Sequence, residues 1–313
     1  VALPSLSCAE PHSCSLPNYS TPSASASPRW LRLLRGGPEF DRLLEYVEEV
    51  ARLVRPLILE RVGGARLPQP LGDASAHLPR SGGKLLRPAL CILSCEAVGG
   101  CRERALPFAV AIELLHTYSL VHDDVMDRSP MRRGALSVHA RWGLSTAILV
   151  GDFLFSVSLL PLADALFVLP KDRATYLLRR FASTAVDICR GQALDLTLGK
   201  RFPNVSLDDY LEMVEFKTAS LFSLCAEGGA VLGGGSADPF REYGKCLGLA
   251  FQIRDDILDL TSTPEADLAD SVLSANLYAT YLTPSSVRLL LSLIHISEPT
   301  RPRLISYAVF CLK

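Results

Sequence analysis

Two stretches carry carboxylates at a spacing that suits chemistry. Ser119–Asp127 reads SLVHDDVMD, and Phe251–Asp259 reads FQIRDDILD. Each is an apolar run that ends in Asp-Asp-x-x-Asp. On a helix the first and last aspartates of such a motif lie four apart and share a face. Asp123 would then sit above Asp127, and Asp255 above Asp259, with Asp124 and Asp256 as immediate neighbours. Carboxylates held together repel unless a cation lies between them. Hard oxygen ligands on one face suit Mg²⁺, which is usually held by one or two carboxylates plus the phosphates of a substrate. A single such motif also occurs as a solvated helix end or an N-cap. Two copies, each behind a buried-looking run, favour the metal reading.

Cationic residues recur near these motifs. Gly82–Pro88 reads GGKLLRP, with two glycines that permit close approach to an anion. Lys84 and Arg87 are three apart and can point the same way at a helix start, with Pro88 tolerated in a first turn. Taken alone, this is equally a loop with solvated charges. His116 lies seven residues before Asp123, close to the same face, where a histidine is more often a packing residue. Arg132 and Arg133 follow the first motif in MRRG, either as a salt-bridge cluster or as forks for a phosphate shared with metal. Lys217, in EFKTAS, either snorkels to solvent or faces an anion.

The elements that must position these groups read as helices. Apolar residues from Phe40 to Val54 recur at three-and-four spacing, with Pro56 as a possible kink. Leu67–Leu78, with two prolines and several small residues, reads as a loop. Further helices are expected from Leu90 to Val98, from Leu106 to Asp127 and over 171–199. An apolar pair broken at Pro161 is expected over 145–169. Asp208-Asp209 opens the next helix, Gly233–Gly235 closes it, and Asp238 caps a last one over 240–260.

Composition narrows the function classes. The 313 residues are 49% hydrophobic but only 7% aromatic, an aliphatic balance typical of helical bundles. A net charge of −1 gives no reason to expect nucleic acid as a partner. The nine cysteines are odd in number and include no C-x-x-C, so they are expected to be reduced, with no metal at Cys91, Cys95 and Cys101. No uninterrupted apolar run reaches the length of a membrane span, since 144–169 is broken by Asp152 and Asp164. Residues 1–28 are Ser-, Pro- and Ala-rich, and 1–38 are expected to be a disordered or non-native leader. The protein is expected to be cytoplasmic, or plastidial or mitochondrial if that leader is a transit peptide.

In combination, GGKLLRP, LLHTYSLVHDDVMD, MRRG, GDFLF, GQALD, EFKTAS and FQIRDDILD resemble the trans-prenyl (polyprenyl) diphosphate synthases over about residues 39–262. The resemblance implies an all-α fold of antiparallel helices around a deep central cavity, and a homodimer. It implies that the two aspartate motifs hold three Mg²⁺ on an allylic diphosphate. Lys84, Arg87, His116 and Arg133 then match the isopentenyl diphosphate site. Arg132, Lys217, Thr218 and Gln252 match the allylic diphosphate contacts. Tyr118 and Ser119, five and four residues before Asp123, line the floor that sets product length, which points to a C20 or C15 product. A class I terpene cyclase and a non-catalytic partner subunit are the alternatives. The resemblance stops near residue 262. Leu291–Pro302 resembles a translated sequencing adapter, so 263–313 is expected to be a non-native, frame-shifted or chimeric tail that leaves the domain incomplete.

Overall fold

The structure, a computed structural model, describes residues 38–201 and 205–262. The expectations for the leader and for the tail after 262 lie outside the described residues. What is described is all-α. The helices are α1 (Pro38–Gly64), α2 (Leu71–Arg80), α3 (Leu86–Ala97), α4 (Arg102–Met126), α5 (Val138–Trp142), α6 (Leu144–Phe167) and α7 (Lys171–Arg201). They are followed by α8 (Leu207–Val214), a π turn (Glu215–Ala219), α9 (Ser220–Leu232) and α10 (Asp238–Ser262). One two-stranded hairpin, β1 (Met131–Arg132) and β2 (Ala135–Leu136), separates α4 from α5.

Burial explains the order of packing. Every residue from Leu221 to Leu232 on α9 is buried, so this helix runs through the interior and is apolar on all sides. Its one charge there, Glu227, is fully buried and accepts a 2.6 Å bond from Arg180 Nε on α7. Around α9 lie α3, α4, α7 and α10, and α6 packs along α4. A second, smaller core joins Leu198, Val205, Tyr210, Met213, Val214 and Ile253 at the far end of α7. Two helices, α4 and α6, are long and apolar enough to cross a bilayer. Both are components of this packed bundle.

Two sequence expectations change. The supposed loop over 67–78 contains α2, whose Ala74, Ser75, Ala76, Leu78 and Pro79 are buried. The two prolines that suggested a loop, Pro68 and Pro70, precede its first turn, and packing against α1 and α6 supports the rest. The supposed helix pair over 145–169 is one helix, which passes through a buried Pro161. Proline removes a hydrogen bond from a helix interior; here the burial of the helix along α4 outweighs that loss. Pro56 is likewise contained within α1.

The closest helix approach to α9 depends on a missing side chain. A Cβ on Gly229 would lie 2.0 Å from the carbonyl oxygen of Cys91 on α3. Backbone cannot yield as a flexible side chain can. Gly229→Ala should therefore lower stability by about 1–3 kcal/mol. The expected result in urea titrations is a lower midpoint with an unchanged slope.

Candidate active site

The first aspartate motif occupies the last turns of α4, and Asp127 caps the helix with its N–H on the carbonyl of Asp123. Opposite it stands the π turn. A Cβ on Gly191 of α7 would lie 2.2 Å from the backbone nitrogen of Lys217, so only glycine lets the turn lie against α7. That approach brings Lys217 Nζ within 2.6 Å of Asp195 Oδ2 on the next turn of α7. Burial pushes Asp123 up to about 6; Lys217 opposes this, while Asp127 and Asp195 add to it. Asp127 is also raised, first by burial and then by Asp195, against the pull of Lys217. Burial alone would lower Lys217, but Asp195, Asp123 and Asp127 outweigh it and hold the ammonium above its ordinary value. Three carboxylates thus share one lysine.

The hairpin after α4 supplies two arginines with separate duties. Arg132 Nε donates to Asp124 Oδ1 at 2.6 Å, in a pair whose carboxylate is 1% exposed. Asp124 Oδ2 is buried with no hydrogen-bond partner among the described residues. Arg133 heads the two-residue turn and donates to the carbonyl of Gly82. A Cβ on Gly83, at φ +126°, would strike the Arg133 guanidinium at 2.6 Å. Arg55 of α1 donates to the carbonyls of Pro79 (2.9 Å) and Gly83 (2.8 Å). The Gly82-Gly83 turn is therefore gripped from two sides before it delivers Lys84 and Arg87.

Arg87 Nη1 lies 3.1 Å from His116 Nε2. Burial, followed by Arg87, Arg133 and Arg132, holds His116 well below its ordinary value, so the ring is neutral. Guanidinium only donates, so Nε2 accepts and Nδ1 carries the proton. Arg87 also lies 4.6 Å from the centre of the Phe222 ring, and its Nε is buried without a partner among the described residues. Behind this group is Glu113, one turn before His116 and 4% exposed. Burial pushes it up to about 7 despite the opposing charges of Arg87, Arg133 and Arg55.

The second motif is divided. Asp256 is 6% exposed and accepts from Tyr210 Oη (2.6 Å) and Gln252 Nε2 (2.8 Å). Thr218 Oγ1 in turn donates to Gln252 Oε1 at 2.8 Å. Thr218, Gln252 and Asp256 therefore form one chain of bonds between the π turn and α10. Asp255 faces elsewhere: its charge raises Lys84 and Arg87 against the lowering effect of burial. Of Asp259, only its place on α10 is described.

Below the first motif lies an aromatic wall. The Tyr118 ring is 5.2 Å from His122 and 5.3 Å from Phe155 of α6, and its hydroxyl is 3.5 Å from Cys189 Sγ on α7. Ser119 Oγ bonds back to the carbonyl of His116.

The site thus assembles the expected residues into two charged groups. Asp123, Asp124 and Asp127 stand with Arg132 and Lys217; Lys84, Arg87, His116 and Arg133 stand together with Asp255. Four further residues had not been singled out: Glu113, Asp195, Arg55 and Tyr210. Asp195 was present in the GQALD motif, and Glu113 shares a face with His116 through the i, i+3 spacing. Nothing local marks Arg55 or Tyr210. The donor set fits a divalent cation. Asp123 and Asp127 are both held up by burial and by nearby carboxylates, a strain that a bound cation relieves. Among the described residues no three such side chains form a ready cage. That suits Mg²⁺, which takes one or two carboxylates and completes its shell with phosphate and water.

Glu113 carries a measurable signature. Its folded pKa exceeds the ordinary carboxylate value, so the folded state holds a proton that the unfolded state releases between about pH 4.5 and 7. Its contribution to stability falls as pH rises through that window, by about 1.4 kcal/mol per pH unit. Glu113→Gln should remove that slope, as read from urea midpoints at pH 5, 6 and 7.

A family model described as polyprenyl synthetase matches residues 68–271. The chain is 43% identical over 206 residues to a short chain isoprenyl diphosphate synthase of Methanothermobacter thermautotrophicus, covering 64% of this chain and 61% of that one. It is 40% identical over 232 residues to a geranylgeranyl diphosphate synthase of Sulfolobus acidocaldarius, covering 73% and 69%. Among solved structures it resembles a geranylgeranyl pyrophosphate synthetase from Geoglobus acetivorans, with a TM-score of 0.67 and 29% identity over 85% of this chain and 99% of that one. It also resembles a polyprenyl synthase from Caulobacter crescentus complexed with calcium and isoprenyl diphosphate, with a TM-score of 0.67 and 29% identity over 87% and 84%. The chain spans 61% of the length of the Methanothermobacter relative. With its all-α bundle, its paired aspartate motifs and this match, the chain belongs to the polyprenyl synthetase family.

Proposed function

We propose that the protein catalyses head-to-tail prenyl transfer, joining isopentenyl diphosphate to an allylic diphosphate to give a longer trans-prenyl diphosphate. One observation carries the reading: two cationic groups of different composition face the same bundle. The reaction needs such an asymmetry. One diphosphate leaves and must be neutralised strongly, while the other is only held.

Asp123 and Asp127 from one side, and Asp255 of the second motif from beside Lys84 and Arg87, would hold Mg²⁺ on the allylic diphosphate, three ions by family analogy. When bound, the metal neutralises the leaving group's charge. Lys217 and Arg132 would bind phosphate oxygens on the same side, each exchanging part of its present carboxylate partnership for the ligand. Lys84, Arg87 and Arg133 would hold isopentenyl diphosphate, with neutral His116 donating from Nδ1. Cleavage of the allylic C1–O bond sends its electron pair to the diphosphate. The double bond of isopentenyl diphosphate then forms the new bond to C1, and a proton leaves its C2 for the released diphosphate. Side chains held on rigid helices supply orientation as well as charge. Apolar walls keep water from the cation.

The aromatic wall at Tyr118 supports a short product, C20 before C15. A pair of copies is also part of the reading. Ile148, Leu149, Leu159 and Leu160 of α6 are 45%, 52%, 44% and 56% exposed. They recur at an eleven-residue interval, three helical turns, and form one apolar stripe suited to a second copy.

Incubation with labelled isopentenyl diphosphate, Mg²⁺ and C5, C10 or C15 allylic starters tests the reaction. A discrete band at C20 or C15, abolished by chelator, is the expected result; no elongation of any starter would overturn it. Tyr118→Ala should shift the product distribution to longer chains, read by reversed-phase separation of the dephosphorylated alcohols.

A further inference from the structure

Gln192 is a buried amide on α7. It is 6% exposed, and neither its Oε1 nor its Nε2 has a hydrogen-bond partner among the described residues. Leaving an amide unpaired in the interior is costly, so a ligand or water must complete it. Its place on α7 indicates which. Cys189, Gln192 and Asp195 follow one i+3 row of the helix, each about 4.5 Å further along the axis. Cys189 is at the aromatic wall, 3.5 Å from the Tyr118 hydroxyl. Asp195 is in the charged group, 2.6 Å from Lys217. Gln192 stands between the region suited to hydrocarbon and the region suited to diphosphate. In an allylic diphosphate, that junction is C1.

We propose that Gln192 is a further catalytic residue, whose amide oxygen faces C1 and stabilises the positive charge that develops as the C1–O bond breaks. The proposal rests on the prenyl-transfer reading above. The amide is chemically apt. Its carbonyl dipole is fixed in place and attracts a cation at no reorganisation cost. A carboxylate there would capture the cation as an ester, and a hydroxyl would capture it as an ether. An amide oxygen is a poor nucleophile and leaves the cation free for the double bond. The NH₂ end can donate to the departing phosphate oxygens, in keeping with both of its polar atoms being unpaired.

The test separates charge stabilisation from simple binding. Two non-reacting allylic diphosphates of equal length serve as probes, measured by calorimetry with Mg²⁺. One carries an ammonium nitrogen near the C1 position; the other is a neutral thiolodiphosphate. Gln192→Leu should weaken the ammonium probe about 100-fold and lower kcat by a similar factor, with the thiolodiphosphate Kd and both KM values changed less than about threefold. Gln192→Asn, which keeps the amide at a shorter reach, should weaken the ammonium probe selectively and serves if the leucine variant does not fold. Equal weakening of both probes, or no change in either, would overturn the proposal while the prenyl-transfer reading stands. Failure of the wild-type chain to bind either probe would remove that reading and this inference with it.

Discussion

A charge taken out of water must find an opposite charge or surrender its proton. This constraint shapes the site. The bundle buries carboxylates at Glu113, Asp124 and Asp256, and each is met by guanidinium or phenol groups drawn from another element. Without ligand, the cations are occupied with the protein's own anions: Arg132 with Asp124 and Lys217 with Asp195. Such pairs add little net stability once desolvation is counted. What they supply is position. Under the prenyl-transfer reading, an arriving diphosphate would meet side chains already held in place by these pairs, and would take over part of an existing balance of charge.

The same constraint explains which residues are strictly placed. Lys217 bonds Asp195 and feels Asp123 and Asp127 from a π turn that lies against α7 where Gly191 gives it room. π turns cost hydrogen-bond quality and are found mostly at functional sites. The Gly82-Gly83 turn is a parallel case. Arg55 and Arg133 hold its carbonyls, and Leu85 beyond it adopts a left-handed conformation at φ +53°, unusual for a side chain of that size. Both irregular segments carry the cations assigned above to phosphate in the proposed reaction, and are braced by neighbours on other helices.

Much of this was legible in the chain itself. The long helices follow from three-and-four apolar spacing, and the first aspartate motif from four-residue spacing on one of them. Arg87 meets His116, which the family resemblance had grouped with it, and Arg87 and Lys84 both feel the charge of Asp255. What escaped was non-local. Helix α2 hid behind Pro68 and Pro70, because its stability comes from burial against α1 and α6 rather than from its own residues. Asp256 reads like Asp124 in one dimension, yet Tyr210, from a different helix, fixes it in a hydrogen-bonded chain. Glu113 was not singled out, since its three arginines come from α1, α3 and the hairpin. The π turn has no local signature; it lies where the missing side chain at Gly191 lets it approach α7.

One feature of the fold extends further. The helical rod from Leu207 to Leu232 passes through two separate cores, with Tyr210, Met213 and Val214 in the small one and Leu221, Phe222 and Leu224 in the large one. The π turn is the joint between them. A cluster of six buried side chains is a weaker cooperative unit than the main core. The small unit can therefore loosen on its own, and the segment nearest that boundary carries Lys217 and Thr218. If the proposed reaction holds, the residues that would grip substrate lie where the protein's rigidity changes, so release of a bulky, charged product would proceed by local breathing at one end of the bundle while its centre stays shut.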